Sequence, residues 1–244
     1  MLLAIDIGNS SATCGLFHKN KLLKRFSFPT AQSQHYQALK KGIAKLKPAA
    51  AIISSVVPKA TTRIQLALSY LQIPEVTVLG KTAKVPIKNR YKYPKQVGQD
   101  RLVNAYAAVR IYGAPAIVID YGTAITFDVI SAKGEYLGGM IVPGMRISLE
   151  ALTEKTALLP RIKLAKPKEF IGRDTTNSML SGIFYGFGAL TDDLNSRISR
   201  KLGHKTHIIA TGGNISQIKP FCHSLKNIDQ DLTLKGLDLI FQTL

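Results

Sequence analysis

A chain of 244 residues, 45% of them hydrophobic, fills one large domain or two of about 115–130 residues each, and its composition excludes a disordered tail. No run approaches the ~20 apolar residues of a membrane span, and two lone cysteines, Cys14 and Cys222, argue against a disulfide framework or thiolate metal cluster and fit a reducing cytoplasm. The 33 Lys and Arg against 15 Asp and Glu leave a net charge of +18, which favours anionic partners such as nucleotides, acidic metabolites or nucleic acid, although basic residues spread over 18–25, 40–47, 81–95, 161–173 and 197–207 also describe ordinary solvated faces.

In chain order, residues 2–7, 12–17 and 22–28 read as three strands, and Asp6 interrupts the apolar start before a signal-peptide core can form. His18-Lys19-Asn20-Lys21 is the second turn. Tyr36, Leu39, Ile43 and Leu46 keep helical spacing, so an amphipathic helix is expected over about 32–46. Ala49–Ser54 reads as a short buried strand. Pro58 opens a helix near its N1 position, with Ile64, Ala67, Leu68 and Leu71 as the buried stripe, and Val76–Leu79 closes the half as a strand. The order βββαβαβ contains a central parallel element and predicts an α/β fold.

Residues 80–97 are basic and broken by Pro86 and Pro94, forming a loop that carries Tyr91 and Tyr93. Gly98-Gln99-Asp100-Arg101 then leads into a helix through Leu102, Val103, Tyr106, Ala107 and Val109. Asp100 stands at or just inside its N-terminus. An Asp there is an ordinary cap, and a capping Asp can also do chemistry. Gly113-Ala114-Pro115 is the expected hinge between two halves, 1–114 and 115–244.

The second half opens on Ile117-Val118-Ile119-Asp120-Tyr121-Gly122-Thr123, aliphatic residues rising to an acid and a glycine. Continuous aliphatics suit a strand buried on both faces, and an acid at its end is costly to bury unless something binds it. The glycine lets backbone N–H groups approach a ligand. Such a turn can cradle phosphate or a hydrated cation, and it is also an ordinary hairpin. Lys133-Gly134 turns the chain into a third strand, Glu135–Ile141, which meets Gly138-Gly139 and Pro143-Gly144. Such glycines can permit a bulge or tight packing, but two pairs bracketing Met140-Ile141-Val142 suggest a backbone passing close to a ligand.

Met179, Ile183, Phe187, Leu190, Leu194 and Ile198 give one long helix from Asp174 to about Leu202. Its small-residue stripe, Ser178, Gly182 and Gly186, suits packing on the sheet or approach of a helix from a second subunit. Ile208-Ile209-Ala210 enters Thr211-Gly212-Gly213-Asn214, a strand, glycine turn and helix that seats adenine or phosphate, or is a plain loop. It matches neither GxGxxG nor GxxxxGK[ST], so Rossmann and P-loop readings lose support.

The N-terminus repeats the Asp120 motif. Leu3-Ala4-Ile5-Asp6-Ile7-Gly8-Asn9 aligns with it at a constant offset of 114 residues, pairing Asp6 with Asp120, Gly8 with Gly122, Asn9 with Thr123 and Asn20 with Gly134. So long a period implies two similar domains rather than a solenoid. Two acid–glycine turns on facing domains make a nucleotide-sized cleft.

Together, Asp6-x-Gly8-Asn9-Ser10, Gly98-x-Asp100-Arg101, Asp120-x-Gly122-Thr123-Ala124 and Thr211-Gly212-Gly213 resemble the type III pantothenate kinases, of the superfamily with duplicated ribonuclease-H-like, actin-like domains. The resemblance runs nearly end to end. It includes Gly138-Gly139-Met140-Ile141-Val142-Pro143-Gly144, Ala151-Leu152-(x)3-Thr156-Ala157-x-Leu159-Pro160 and Ile171-Gly172-Arg173-Asp174-Thr175. It implies two tandem domains with mixed five-stranded sheets, a ligand cleft between them, and ATP-dependent phosphorylation of pantothenate to 4'-phosphopantothenate, the first step of coenzyme A biosynthesis.

The resemblance further implies a first phosphate loop over Asp6, Gly8, Asn9, Ser10, Ser11 and Thr13, with Asp6 near Mg²⁺. Gly122 and Thr123 form the second loop, Gly212 and Gly213 border the nucleotide, and Asp120 binds a monovalent cation, K⁺ or NH₄⁺. Tyr91, Gly98, Gln99, Asp100, Arg101 and Thr175 match pantothenate-contacting positions, with Asp100 as catalytic base. It also implies a homodimer. Tyr93 stands where the family usually has Asn, and Ser10 replaces the commoner Thr. Neither change removes a reacting group. The chemistry is coherent on its own terms, since Mg²⁺ keeps several waters and needs few carboxylates. The alternative is a kinase-like transcription accessory factor that binds nucleic acid through its basic surface. No helix-turn-helix or aromatic-rich basic patch supports it, and no specific nucleic-acid partner is expected.

Overall fold

The computed structural model describes residues 1–31, 34–43, 45–203 and 205–244. The chain falls into two compact units, Met1–Ile111 with Asp231–Leu244, and Tyr112–Gln230. In the first, β1 (Leu2–Ile7), β2 (Ser11–His18) and β3 (Lys21–Pro29) form an antiparallel meander. Helix α1 (His35–Ile43), β4 (Ala50–Ser55), α2 (Pro58–Tyr70), β5 (Glu75–Val78) and α3 (Gln99–Tyr112) follow. The sheet order is β3-β2-β1-β4-β5, with β4 parallel to both β1 and β5. Of the helix expected over 32–46, positions 32, 33 and 44 lie outside the described residues.

The second unit repeats this plan. Strands β6 (Ala116–Tyr121), β7 (Ala124–Ile130) and β8 (Tyr136–Pro143) form the meander. Helices α4 (Met145–Lys155) and α5 (Thr175–Leu202), strand β9 (His207–Thr211), the short α6 (Ile215–Ile218) and β10 (Asn227–Ile228) complete it. Its sheet order, β10-β9-β6-β7-β8, is the first sheet's order read from the other edge. Both sheets are five-stranded and mixed, as the α/β expectation requires. The repeat is close but not perfect. Asp6 pairs with Thr13 whereas Asp120 pairs with Thr126, so the second hairpin turn is one residue shorter. The next turns do correspond, since Asn20 (φ 64°) and Gly134 (φ 71°) both adopt the left-handed region.

Alternation decides which face of the first sheet each residue serves. Leu3, Ile5 and Ile7 of β1 join Cys14 and Leu16 of β2 and Ala51 and Ile53 of β4 in a core closed by Leu39 and Ile43 of α1 and Ile64, Ala67 and Leu68 of α2. Asp6, Thr13 and Ser54, in register with one another, therefore occupy the opposite face. That face is covered in part by a helix the sequence pattern did not suggest, α7 (Leu232–Phe241), whose Leu232, Leu234, Leu237 and Ile240 are buried.

A Cβ on Gly15 of β2 would lie 3.1 Å from Leu234, and one on Gly236 would lie 2.7 Å from Val103 of α3. Missing side chains on both elements thus let α7 sit tight. This places the C-terminal residues 231–244 with the first unit, whereas a division at 114/115 in chain order assigns them to the second. The cause is apolar burial: a helix with four inward leucine or isoleucine side chains goes where a sheet face is open.

Two further differences have local reasons. Helix α4 was not expected, because its buried residues, Met145 and Leu149, make a stripe too narrow to stand out as a helical period. The Gly138-Gly139 pair resolves as strand, with Gly138 at φ 125° and a register shift opposite Val129/Ile130, which is the bulge reading. Among the described residues no helix is long and apolar enough to cross a membrane.

Candidate functional site

In the first unit the turn after β1 is tied down from below and open above. Gly8 N donates to Ser11 O (3.0 Å), closing the hairpin. From the end of β3, Thr30 Oγ1 donates to Gly8 O (2.7 Å) and Thr30 N donates to Ser10 O (3.1 Å). His35 Nε2, 3.1 Å from Thr30 O, steadies that residue in turn. The outcome is a turn whose carbonyls are engaged while Asn9, Ser10 and Ser11 remain exposed. Asp6 is half-buried at the strand's carboxyl end, beside half-buried Thr13. Thr30 carries no motif of its own and lies some twenty residues downstream, so sequence reasoning missed it.

The amino end of α3 is brought to the same edge of the sheet. A Cβ on Gly98 would collide with Asp100 Oδ1 and lie 3.5 Å from Val56 Cγ1. Val56, just past β4, donates its N–H to Ile7 O at 3.1 Å. Asp100 is thus placed by the carboxyl ends of β1 and β4, as are Asp6 and Gly8. Gln99 packs its side chain on Gly80, where a Cβ would lie 3.0 Å from Gln99 Cδ. Gly80 has φ +78°, so only glycine serves there without strain.

Asp100 lies inside the first turn of α3, and its Oδ1 accepts from the adjacent Arg101 N at 2.9 Å. Burial pushes the Asp100 carboxyl above the usual carboxylate range, and the Arg101 amide and guanidinium pull back against it. Tyr91 is half-buried in the preceding loop, its N–H held by Asn89 Oδ1 at 2.9 Å. Tyr93 is 56% exposed with Lys92 over its ring, so its side chain points largely to solvent.

The second unit builds the corresponding turn with different braces. Asn214 donates its backbone N–H to Tyr121 O (3.1 Å) and its side-chain Nδ2 to both Tyr121 O and Gly122 O (3.3 Å each). Gly144 N donates to Thr123 O at 3.1 Å, and a Cβ on Gly144 would strike that same carbonyl. Gly212 has φ +97°, and a Cβ there would collide with Asp120 Oδ1 and lie 2.6 Å from Tyr121 N. Nothing lies within 4 Å of a Cβ built on Gly213. Asp120, Gly122, Thr123 and Gly212 are therefore gathered at one strand edge, with Gly213 beside them. Thr175 is exposed at the first position of α5, just after Asp174, which caps the helix through Asn177 N at 2.7 Å.

Each acid–glycine turn supplies one carboxylate with neighbouring hydroxyls and backbone groups. Among the described residues no three His, Cys, Asp or Glu side chains gather as a metal cage. That donor set fits Mg²⁺, which retains waters and takes one or two carboxylates plus substrate phosphates. Asp6 with Ser10 and Ser11 offers such oxygens in the first unit. At Asp120, the glycine at 212 leaves out a Cβ that would collide with Asp120 Oδ1, and a lone carboxylate among backbone oxygens fits a cation with loose oxygen coordination.

The family model described as type III pantothenate kinase matches residues 2–197. A type III pantothenate kinase of Myxococcus xanthus is 37% identical over 251 residues, covering 99% of this chain and 98% of the relative. One from Brevibacillus brevis is 39% identical with the same coverage. Among solved structures, a ROK family glucokinase from Streptomyces griseus aligns over 99% of each chain with a TM-score of 0.54 at 11% identity, a likeness of fold.

The raised Asp100 pKa has a stability consequence. A carboxyl whose folded pKa exceeds its unfolded value favours the folded state below the unfolded pKa, and that contribution is lost as pH rises through the folded pKa. Asp100→Asn removes the ionised, desolvated group, so its Tm at pH 7–8 is expected to equal or exceed wild type, with the gain shrinking as pH falls toward ~4. Thermal melts across that range check this. A Tm clearly below wild type at neutral pH would make Asp100 a structural cap.

Proposed function

The chain belongs to the type III pantothenate kinases, and we propose that it phosphorylates the primary hydroxyl of pantothenate with ATP through Asp100 as general base. The observation that carries the assignment of the base is the position of Asp100. It is half-buried in the first turn of α3, at the sheet edge where β1 delivers Asp6 and the Gly8–Ser11 turn. Its raised pKa moves it toward the range where a carboxylate accepts a proton effectively at neutral pH. Phosphoryl transfer passes through a loose transition state, so the acceptor proton leaves late and a carboxylate suffices. The pantothenate oxygen bonds to the γ-phosphorus as the bond to the β–γ bridging oxygen breaks. ADP departs, and Asp100 takes the hydroxyl proton.

In this proposal Asn9, Ser10, Ser11 and Thr13 with Gly8 hold phosphate oxygens in the first unit. Thr123 with Gly122 does so in the second, and Gly212 and Gly213 border the nucleotide. A divalent cation held by Asp6 would neutralise developing phosphate charge. Arg101, Tyr91, Gly98 and Thr175 recognise pantothenate, and Arg101 suits its carboxylate. Gln99 acts by setting the start of α3 on Gly80. The regulatory alternative, a nucleic-acid-binding accessory factor, is not favoured, since full-length relatives at 36–39% identity carry the kinase name.

Purified protein is expected to convert pantothenate to its phosphate in an ATP-coupled assay. Asp100→Asn should lower turnover by about 10²–10⁴-fold while ATP still binds. Near-wild-type turnover in that variant would remove Asp100 from the chemistry, and inactive wild type would sink the substrate assignment.

Asp120 is proposed as ligand of a monovalent cation. Replacing K⁺ or NH₄⁺ by Na⁺ should then slow the reaction and weaken ATP binding, and Asp120→Ala should abolish the difference. Equal rates in the two buffers would count against this role.

A homodimer is proposed through unit two. Gly182 and Gly186 open onto empty space on α5, where a Cβ would meet nothing within 4 Å, and Leu158, Ile171 and Phe170 are 92%, 75% and 65% exposed. Such apolar exposure suits a covered surface. Light scattering at assay concentration should give twice the chain mass, and a monomer with full activity would refute it.

A further inference from the structure

Nothing in the local sequence separates Ser54 from any small strand residue. In the fold it is paired with Asp6 across the parallel β1–β4 ladder, and Thr13 is paired with Asp6 from β2. Neighbouring strands lie about 4.8 Å apart and paired residues project from one face, so Thr13, Asp6 and Ser54 form a polar row across three strands. The row lies opposite the face that carries the α1/α2 core, and it ends where Val56 N reaches Ile7 O and Gly98 meets Val56.

Ser54 is fully buried, and its Oγ has no hydrogen-bond partner among the described residues. Its neighbours Ile52 and Ile53 are likewise buried. A buried hydroxyl without a partner costs free energy that an alanine of nearly the same size would avoid. Buried polar groups are normally satisfied, so an exception calls for a reason. The nearest strong acceptor by register is the Asp6 carboxylate. One staggered rotation about χ1 redirects a serine hydroxyl, and a single internal water spans the remaining gap.

We propose that Ser54 is a positioning residue for Asp6: with nucleotide and divalent cation bound, its hydroxyl donates to the Asp6 carboxylate, directly or through one internal water, and fixes which carboxylate oxygens face the cation. Asp6 keeps its other interactions. Ser54 does not touch substrate and acts only through this carboxylate. The inference rests on the kinase reading for what occupies the turn, and on the sheet register for everything else.

The test is calorimetric titration of ATP, without pantothenate, into wild type and Ser54→Ala, each in Mg²⁺ and in EDTA. The gain in affinity that Mg²⁺ confers should be about 10-fold smaller in Ser54→Ala, the effect of one charge-assisted hydrogen bond. Affinity in EDTA should be unchanged, and the ligand-free variant should melt at or above the wild-type temperature. An undiminished Mg²⁺ gain in the variant, with normal wild-type binding, overturns the role of Ser54 and leaves the kinase reading standing. Wild type without Mg²⁺-dependent ATP binding overturns both. A variant with lowered Tm and equal losses in Mg²⁺ and EDTA makes the hydroxyl structural and also overturns the proposal.

Discussion

Asp6 and Asp120 stand near the carboxyl ends of strands that are otherwise apolar and almost wholly buried. A carboxylate so placed is tolerable only if solvent, donors or a cation reach it. Both sheets meet that demand by the same means. The strand stops one residue later, a glycine follows, and the chain reverses into an antiparallel partner. Much of each unit's design follows from holding that reversal at the sheet edge.

The two units brace the reversal differently. In the first, Thr30 reaches back from the end of β3 to engage the carbonyls of Gly8 and Ser10. In the second, Asn214 comes from the segment after β9 and takes the carbonyls of Tyr121 and Gly122, while Gly144 closes on Thr123. Engaged carbonyls leave N–H groups and side-chain hydroxyls as the chemistry on offer, which suits anionic oxygens. Glycine is required where another backbone or carboxylate crowds the position. Gly212 against Asp120 and Gly144 against Thr123 show this most clearly, because a Cβ at either would strike the groups that form the turn.

Asp100 reaches the site by a different route. A helix starting at Gln99 carries it, and that start is set by Gly80 packing on Gln99 and by Gly98 lying against Val56. Its raised pKa comes from burial rather than from a like charge, so the shift is a by-product of close packing at the sheet edge. Arg173–Glu169 and Arg197–Asp193 are i,i+4 contacts on helix or loop surfaces, worth little to stability.

Sequence alone determined the longer strands and most helices, though not the two-residue β10, because aliphatic runs and the 3.6-residue period are local signals that survive in any context. It also determined the duplication, since Asp-x-Gly at a fixed offset is legible without coordinates. The acids and glycines of both turns, and Asp100 beside Arg101, were likewise readable from residue type and spacing. Tertiary structure decided what depends on meetings between distant segments. Helix α7 joins the first unit because an open sheet face and a missing side chain at Gly15 and Gly236 receive it, and chain order points the other way. Thr30 and Asn214 gained their roles only from where β3 and β9 end. Ser54 acquired a carboxylate neighbour only through β1–β4 register, which a serine at the end of an aliphatic strand does not announce.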